Sequence, residues 1–395
     1  MRPDERSETV AGSSGTPTTE ESVGVPHEPA HRRAGTRRMG QPIITMRDVA
    51  RATGVSQSTV SRVLSGAPTA VPIAAETMSR VRAAADRLGY RPNPLARGLR
   101  GAQTMLLGVI VREITDPFFA GAIEAVSREA GRRGYNVVLG QAHARADEAI
   151  ALWAVLEARH CDAILLLGDM RDQPRLLEDL GGAHVPVVAL WQGARPNGIP
   201  SVTVDNRAGI RAVVDHLFGL GHRRLAFVGG RRLGDIIERE TAFIEEVSRT
   251  GERLLDGYVR TVANNPAGGG EALRALFELP TPPTAIVVAT DVLAIGALHA
   301  AYELGLRVPG DVSVTGFDDI PAAAYSNPAL TTVAMPVREM VATAVRMVID
   351  EAPEGATGSG PGFANAVLAP TLVVRSSSGP VPAAPASRLP PVLPA

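Results

Sequence analysis

Two hydrophobic rhythms divide the chain. From Thr45 to Gly89 apolar residues recur at helical spacing. Thr45 followed three residues later by Asp48 has the form of a capping box that opens a first helix, "MRDVARAT". Gly54 permits a sharp turn, Ser56 is a good N-cap, and a second helix, "QSTVSRVL", follows. Over "GVSQSTVSRVL" Val55, Val60, Val63 and Leu64 form one apolar stripe, while Gln57, Ser58, Ser61 and Arg62 fall on other faces. A third helix, "ETMSRVRAAADRLG", aligns Met78, Val81, Ala85 and Leu88 and stops at Gly89. Helix, tight turn, helix, loop, helix is the layout of a helix-turn-helix DNA-binding head.

From Met105 onward the rhythm changes. "MLLGVIV", "YNVVLG", "DAILLLG", "VPVVALW", "RLAFVGG", "AIVVAT" and "VSVTGF" read as buried strands, separated by amphipathic segments such as "FAGAIEAVSREAGRRG" and "NRAGIRAVVDHLFGLG". Near-continuous apolar strands between helices predict parallel sheets covered on both faces. There are too many strands for one compact sheet, so two α/β lobes with a cleft at the strands' carboxyl ends are expected.

Composition adds a little. The 395 residues have room for two or three domains, and a net charge of -1 excludes nothing. The distribution of charge says more: between residues 31 and 100 a run of arginines from Arg32 to Arg100 is opposed only by Asp48, Glu76 and Asp86, a field suited to phosphates. Cys161, the single cysteine, excludes an intramolecular disulfide and reads as a packed thiol. There is no membrane-length apolar run and no signal-peptide core, which predicts a cytoplasmic protein. No G-x-S-x-G elbow, P-loop lysine, Cys/His metal spacing or carboxylate pair beside a nucleophile occurs, so no catalytic residue, metal site or cofactor is expected.

Four segments together, "ITMRDVARATGVSQSTVSRVLSG", "RVRAAADRLGYRPNPLARGLRG", "VDNRAGIRAVVDHLFGLGHRRLAFVGG" and "LGLRVPGDVSVTGFDDIPAAAYSNPALTTV", resemble the lactose-repressor/galactose-repressor (LacI/GalR) family of bacterial transcription regulators. The resemblance covers roughly residues 44 to 376. It implies an all-α helix-turn-helix head, a hinge helix that orders on operator DNA, and a two-lobed core like the periplasmic sugar-binding proteins. It also implies a homodimer whose two heads read a near-palindromic operator, and a sugar or related metabolite as effector. The expected organisation is a disordered tail over 1–43, the head over 44–90, a hinge over 91–103, the core over 104–376 and a second disordered tail over 377–395. Within the core, 104–221 with 336–352 would form the N-lobe, and 222–335 with 363–376 the C-lobe.

The resemblance assigns residues as well. Gln57, Ser58 and Arg62 stand at base-reading positions, where glutamine suits adenine and arginine suits guanine. Ser56, Thr59 and Ser61 become phosphate or capping contacts. In the hinge, Ala96 and Leu99 match a small packing residue and a minor-groove wedge, while Arg97 and Arg100 meet phosphates. The loop "GAPTAVPIAAET" is about three residues longer than the family's usual one and is expected to bulge at the surface. For the effector the matched positions are Phe118, Phe119, Thr290, Asp291, Asp318 and Met335, with Trp191 as an apolar wall. A common effector-binding arginine is replaced by Ile237 unless Arg239 takes its role after a local shift. Several polar positions of the family are altered, which leaves a core without effector sensing as an alternative; a solute-binding protein is a third, opposed by the head.

Overall fold

The computed structural model describes residues 44–65, 72–90, 103–142, 152, 156, 161–170, 172–191, 198–230, 234–352 and 365–382. The chain divides into two compact units between Pro92 and Asn93. The tail over 1–43, residues 66–71 of the longer loop and nearly all of the hinge, including Ala96, Arg97, Leu99 and Arg100, lie outside the described residues.

In the first unit, helices α1 (Met46–Thr53), α2 (Gln57–Ser65) and α3 (Ala75–Leu88) follow the predicted order. The Thr45 amide donates to Asp48 Oδ2 at 2.9 Å, closing the capping box. Gly54 takes φ 68°, a left-handed turn that glycine accepts without steric cost. Val49, Ala50, Val60, Val63, Val81, Ala84 and Ala85 make the small core.

The second unit contains two parallel sheets. β1 (Leu106–Val111), β2 (Asn136–Gln141), β3 (Ala163–Leu167), β4 (Val187–Leu190), β5 (Ser201–Val204) and β11 (Ala366–Leu368) form one in the order β11-β5-β4-β3-β1-β2. Helices α4 (Pro117–Arg132) and α11 (Val337–Ile349) pack against each other, with α11 also lying on β3, β4 and β5. The second sheet has the order β7-β6-β8-β9, from β6 (Leu225–Gly229), β7 (Val259–Thr261), β8 (Ala285–Val288) and β9 (Ser313–Thr315). No described helix is long and apolar enough to cross a membrane.

The lobe boundaries differ from those expected. Helix α6 (Asn206–Gly219), placed by sequence in the N-lobe, packs on α7 (Gly234–Arg249) and on β8, β10 (Thr332–Ala334) and β12 (Thr371–Val373), so it belongs to the C-lobe. Conversely β11, placed in the C-lobe, pairs with β5, while β12 returns to pair antiparallel with β10. The chain therefore passes between lobes after β5, after β10 and between β11 and β12. Short apolar strands read alike in either sheet, which is why sequence pattern misplaced them.

The start of the C-terminal tail also needs correction. Ser377, expected to be disordered, is buried; its Oγ donates to the Val314 carbonyl and accepts from the Thr331 amide at 2.8 Å. The Gly379 carbonyl lies 3.0 Å from His222 Nε2. The imidazole is fully buried, with Thr284 Oγ1 3.0 Å from Nδ1 and Ser313 Oγ 3.0 Å from Nε2. A segment rich in Ser and Pro is ordered here because His222 and the β9 edge supply its polar partners. Residues 383–395 lie outside the described residues.

Helices α8 (Pro266–Phe277) and α9 (Asp291–Glu303) touch backbone to backbone: a Cβ on Gly296 would stand 1.8 Å from the Pro266 carbonyl oxygen, and one on Gly269 would stand 1.9 Å from that of Leu293. Gly296→Ala should therefore destabilise the C-lobe by about 1–3 kcal/mol or more, read by urea unfolding. His222 supplies a second test. Burial lowers its pKa, so the unfolded chain takes up a proton, near about pH 6.5, before the folded one does. Stability should be full above that pH and fall as pH drops below it toward the lowered folded value. His222→Gln should flatten the dependence of melting temperature on pH; an unchanged slope would exclude His222 as its source.

Candidate functional site

The head presents one polar helix face. Val60 and Val63 are buried and fix the rotation of α2, which leaves Gln57, Ser58 and Arg62 exposed, with Thr59 and Ser61 half-buried. Ser56 Oγ accepts from the Thr59 amide at 3.1 Å, so the predicted N-cap is formed. The same hydroxyl lies 2.7 Å from Ser58 Oγ and 2.9 Å from Thr59 Oγ1, which organises the helix start. Arg62 Nε donates to the Ser58 carbonyl at 3.3 Å, folding the long side chain back along the helix. Side chains at the N-terminal end of such a helix are the ones that reach base edges in a major groove.

The second unit holds a cavity of about 560 Å³ between its lobes. Phe118, Phe119, Trp191, Arg239, Thr290, Asp318 and Met335 all line it. Asp116 Oδ1 accepts from the Phe118 amide at 3.0 Å and caps α4, which fixes where the two phenylalanines start. Phe118 meets Trp191 edge-on, with ring centroids 4.9 Å apart, and Phe119 lies 5.3 Å from Phe118. Trp191 and Asp318 hold left-handed backbone, at φ 59° and 119°. Such conformations are costly for side-chain-bearing residues and cluster at functional sites.

Arg239 forms the floor. It is 1% exposed, and its Nε donates to Asn206 Oδ1 at 2.8 Å. Nη1 donates to the Ala289 carbonyl at 2.6 Å and to Asp318 Oδ1 at 3.2 Å, while the guanidinium lies 3.7 Å from the Phe317 ring centroid. Met335 Sδ stands 3.8 Å from Nη2. Ile237 does not line the cavity, whereas Arg239 does. Burial drives the Asp318 carboxyl well above the usual carboxylate range, and Arg239 only partly opposes this.

Asp291 is the exception among the expected contacts. It is fully buried and outside the cavity lining; Oδ2 accepts from the Ile320 amide at 2.9 Å, and Oδ1 accepts from Thr332 Oγ1. Burial pushes its carboxyl up to about 7. Its role is to tie the loop after β9 to α9. Thr290 does reach the cavity, where Oγ1 donates to Asn264 Oδ1 at 3.0 Å. Cys161 sits away from the site, buried, with its thiol pushed up to about 11.

Sequence reading missed the cavity's other charges. Arg112 makes a two-pronged pair with Asp172, at 2.8 Å to each oxygen, and donates to the Asp169 carbonyl. Asp169 in turn accepts from the Gly234 amide at the start of α7, a bond that spans the lobes. Arg112, Glu113 and Asp169 follow the carboxyl ends of β1 and β3, where the α/β rule would have found them.

Asp291→Ala should lower stability by about 1–3 kcal/mol through the donors left unpaired at Ile320 and Thr332, read by thermal unfolding without ligand. An unchanged melting temperature would return Asp291 to the list of ligand contacts.

Comparison with known proteins matches a model of bacterial regulatory proteins of the lacI family over residues 45–93 and a periplasmic binding protein-like domain over 214–378. The HTH-type transcriptional repressor CytR of Escherichia coli K12 is 31% identical over 340 residues, covering 86% of this chain and 97% of that protein. Catabolite control protein A of Priestia megaterium is 33% identical over 308 residues, covering 77% of this chain and 91% of its own length. The lac repressor dimer bound to operator and the anti-inducer ONPF superposes with a TM-score of 0.74 at 26% identity, covering 86% of this chain and all of that one.

Proposed function

We propose a function for this chain from one established premise: it belongs to the LacI family of bacterial regulatory proteins. It is a DNA-binding transcriptional regulator that acts as a homodimer and is modulated by a small molecule bound in the core. Our finer reading is a cytoplasmic repressor without catalytic activity, whose two heads read the half-sites of a near-palindromic operator. The observation that carries it is the α2 face, where Gln57, Ser58 and Arg62 are exposed over a buried Val60 and Val63. The cavity of about 560 Å³, walled by aromatic rings and floored by Arg239, favours a sensing core over one without an effector. Its effector acts by preferring one of two core conformations that differ in operator affinity.

Fluorescence anisotropy with DNA selected by the protein itself, across a salt series, tests the reading. Affinity should fall steeply and linearly with the logarithm of salt concentration. Gln57→Ala should cost about 1–3 kcal/mol at one base pair in each half-site and leave the others unchanged. An equal loss on every sequence would make Gln57 a phosphate contact, and absence of DNA binding by the folded protein would refute the regulator.

A further inference from the structure

The described lining of the cleft carries lopsided charge. Among the described residues that line it, Glu113, Asp116, Asp169, Asp235 and Asp318 carry carboxyl groups, and only Arg112 and Arg239 carry fixed positive charge. Both guanidinium groups are committed. Arg112 is held by Asp172 and the Asp169 carbonyl; Arg239 is held by Asn206, Ala289 and Asp318, with Asp235 Oδ2 3.6 Å away. Asp169 is engaged with the Gly234 amide. Glu113 accepts from Thr115 Oγ1 and Gln141 Nε2, Asp116 from the Phe118 amide and Asp235 from the Ile236 amide, so Arg239, 3.6 Å from Asp235, is the one cation that a described contact sets beside these three carboxylates. Burial, with the neighbouring charges of Glu113 and Asp235 adding to it, pushes the Asp116 carboxyl up.

A second observation is independent of charge. Trp191 is 3% exposed and lines the cavity, and its Nε1–H has no hydrogen-bond partner. Buried indole N–H groups ordinarily find an acceptor, so this one is available to an oxygen that enters the cleft. Beside it stand the Phe118 and Phe119 rings. Aromatic rings next to carboxylates are the chemistry that holds a desolvated ammonium group.

We propose that the effector is a small hydroxylated amine of the amino-sugar type, with its protonated nitrogen balanced by Asp116 and Asp235 and a ring or hydroxyl oxygen accepting from the Trp191 indole. Against the described lining, phosphorylated and carboxylated compounds meet surplus like charge. The proposal rests on reading the cleft as an effector site.

Calorimetric titration of the full-length protein tests it with D-glucosamine and D-galactosamine, each against its neutral parent sugar and the 6-phosphate of that sugar. The amine should bind about tenfold tighter than its parent, as a charge-assisted contact does, and the phosphate more weakly than either. Asp116→Asn, which can still cap α4, and Asp235→Asn should each erase the preference for the amine. Trp191→Phe should weaken amine and parent by the same factor. A parent or phosphate that binds as tightly as the amine overturns the proposal, and so does absence of amine binding. DNA binding by the same ligand-free preparation separates the two failures: a protein that binds DNA and no amine refutes the amine alone.

Discussion

A guanidinium group removed from water organises the core. Arg239 is almost wholly buried, and an unpaired charge there would be prohibitive. It is tolerable because the start of α6 offers Asn206, the end of β8 offers the Ala289 carbonyl and the loop after β9 offers Asp318. The Phe317 ring covers the guanidinium from one side. Three separate pieces of chain are thus fixed relative to α7 by one side chain. Asn206 is itself held, donating to Glu238 Oε2 at 2.8 Å, so the network has few ways to relax. Truncating any one partner leaves the others desolvated, which makes such a network stiff and all-or-none.

The C-lobe is stiffened in a second way. Glycines in α8 and α9 bring two helix backbones into direct contact, and Ser377, Gly379 and His222 close the β9 edge. Neither device needs a ligand. The N-lobe face of the cleft is built differently, from three edge-packed aromatic rings and the Arg112–Asp172 pair at its rim. One wall centres on a buried guanidinium network; the other sets aromatic rings beside the carboxyl groups of Glu113, Asp116 and Asp169.

Much of this was legible from residue order. The capping box at Thr45, the glycine turn and the Val60/Val63 stripe each have a local cause, so the head could be derived from short-range rules. The two-lobed core also followed, because near-continuous apolar strands between helices admit few other solutions. Lobe membership of α6 and β11 was not legible, since it depends on which sheet accepts an apolar strand or helix face, a long-range choice. Asp291 and Asp318 show the same limit at the site. They stand at family binding positions in the sequence reading, yet one faces the Ile320 amide and the Thr332 hydroxyl and the other the cavity, and only the packed loop after β9 separates those fates. The ordered stretch after Arg375 looked like tail because serine and proline say nothing about partners more than a hundred residues away, such as His222.

Of the three passages of chain between the lobes, the second begins at Met335, a residue that touches Arg239 and lines the cavity. A ligand bound there lies close to that crossing. Near a fulcrum the displacement available is small and the lever arm to the far ends of the lobes is long. Any turn of one lobe about such a crossing would be amplified at the lobes' outer edges. The site is placed for leverage, so the molecule that fills it can be small.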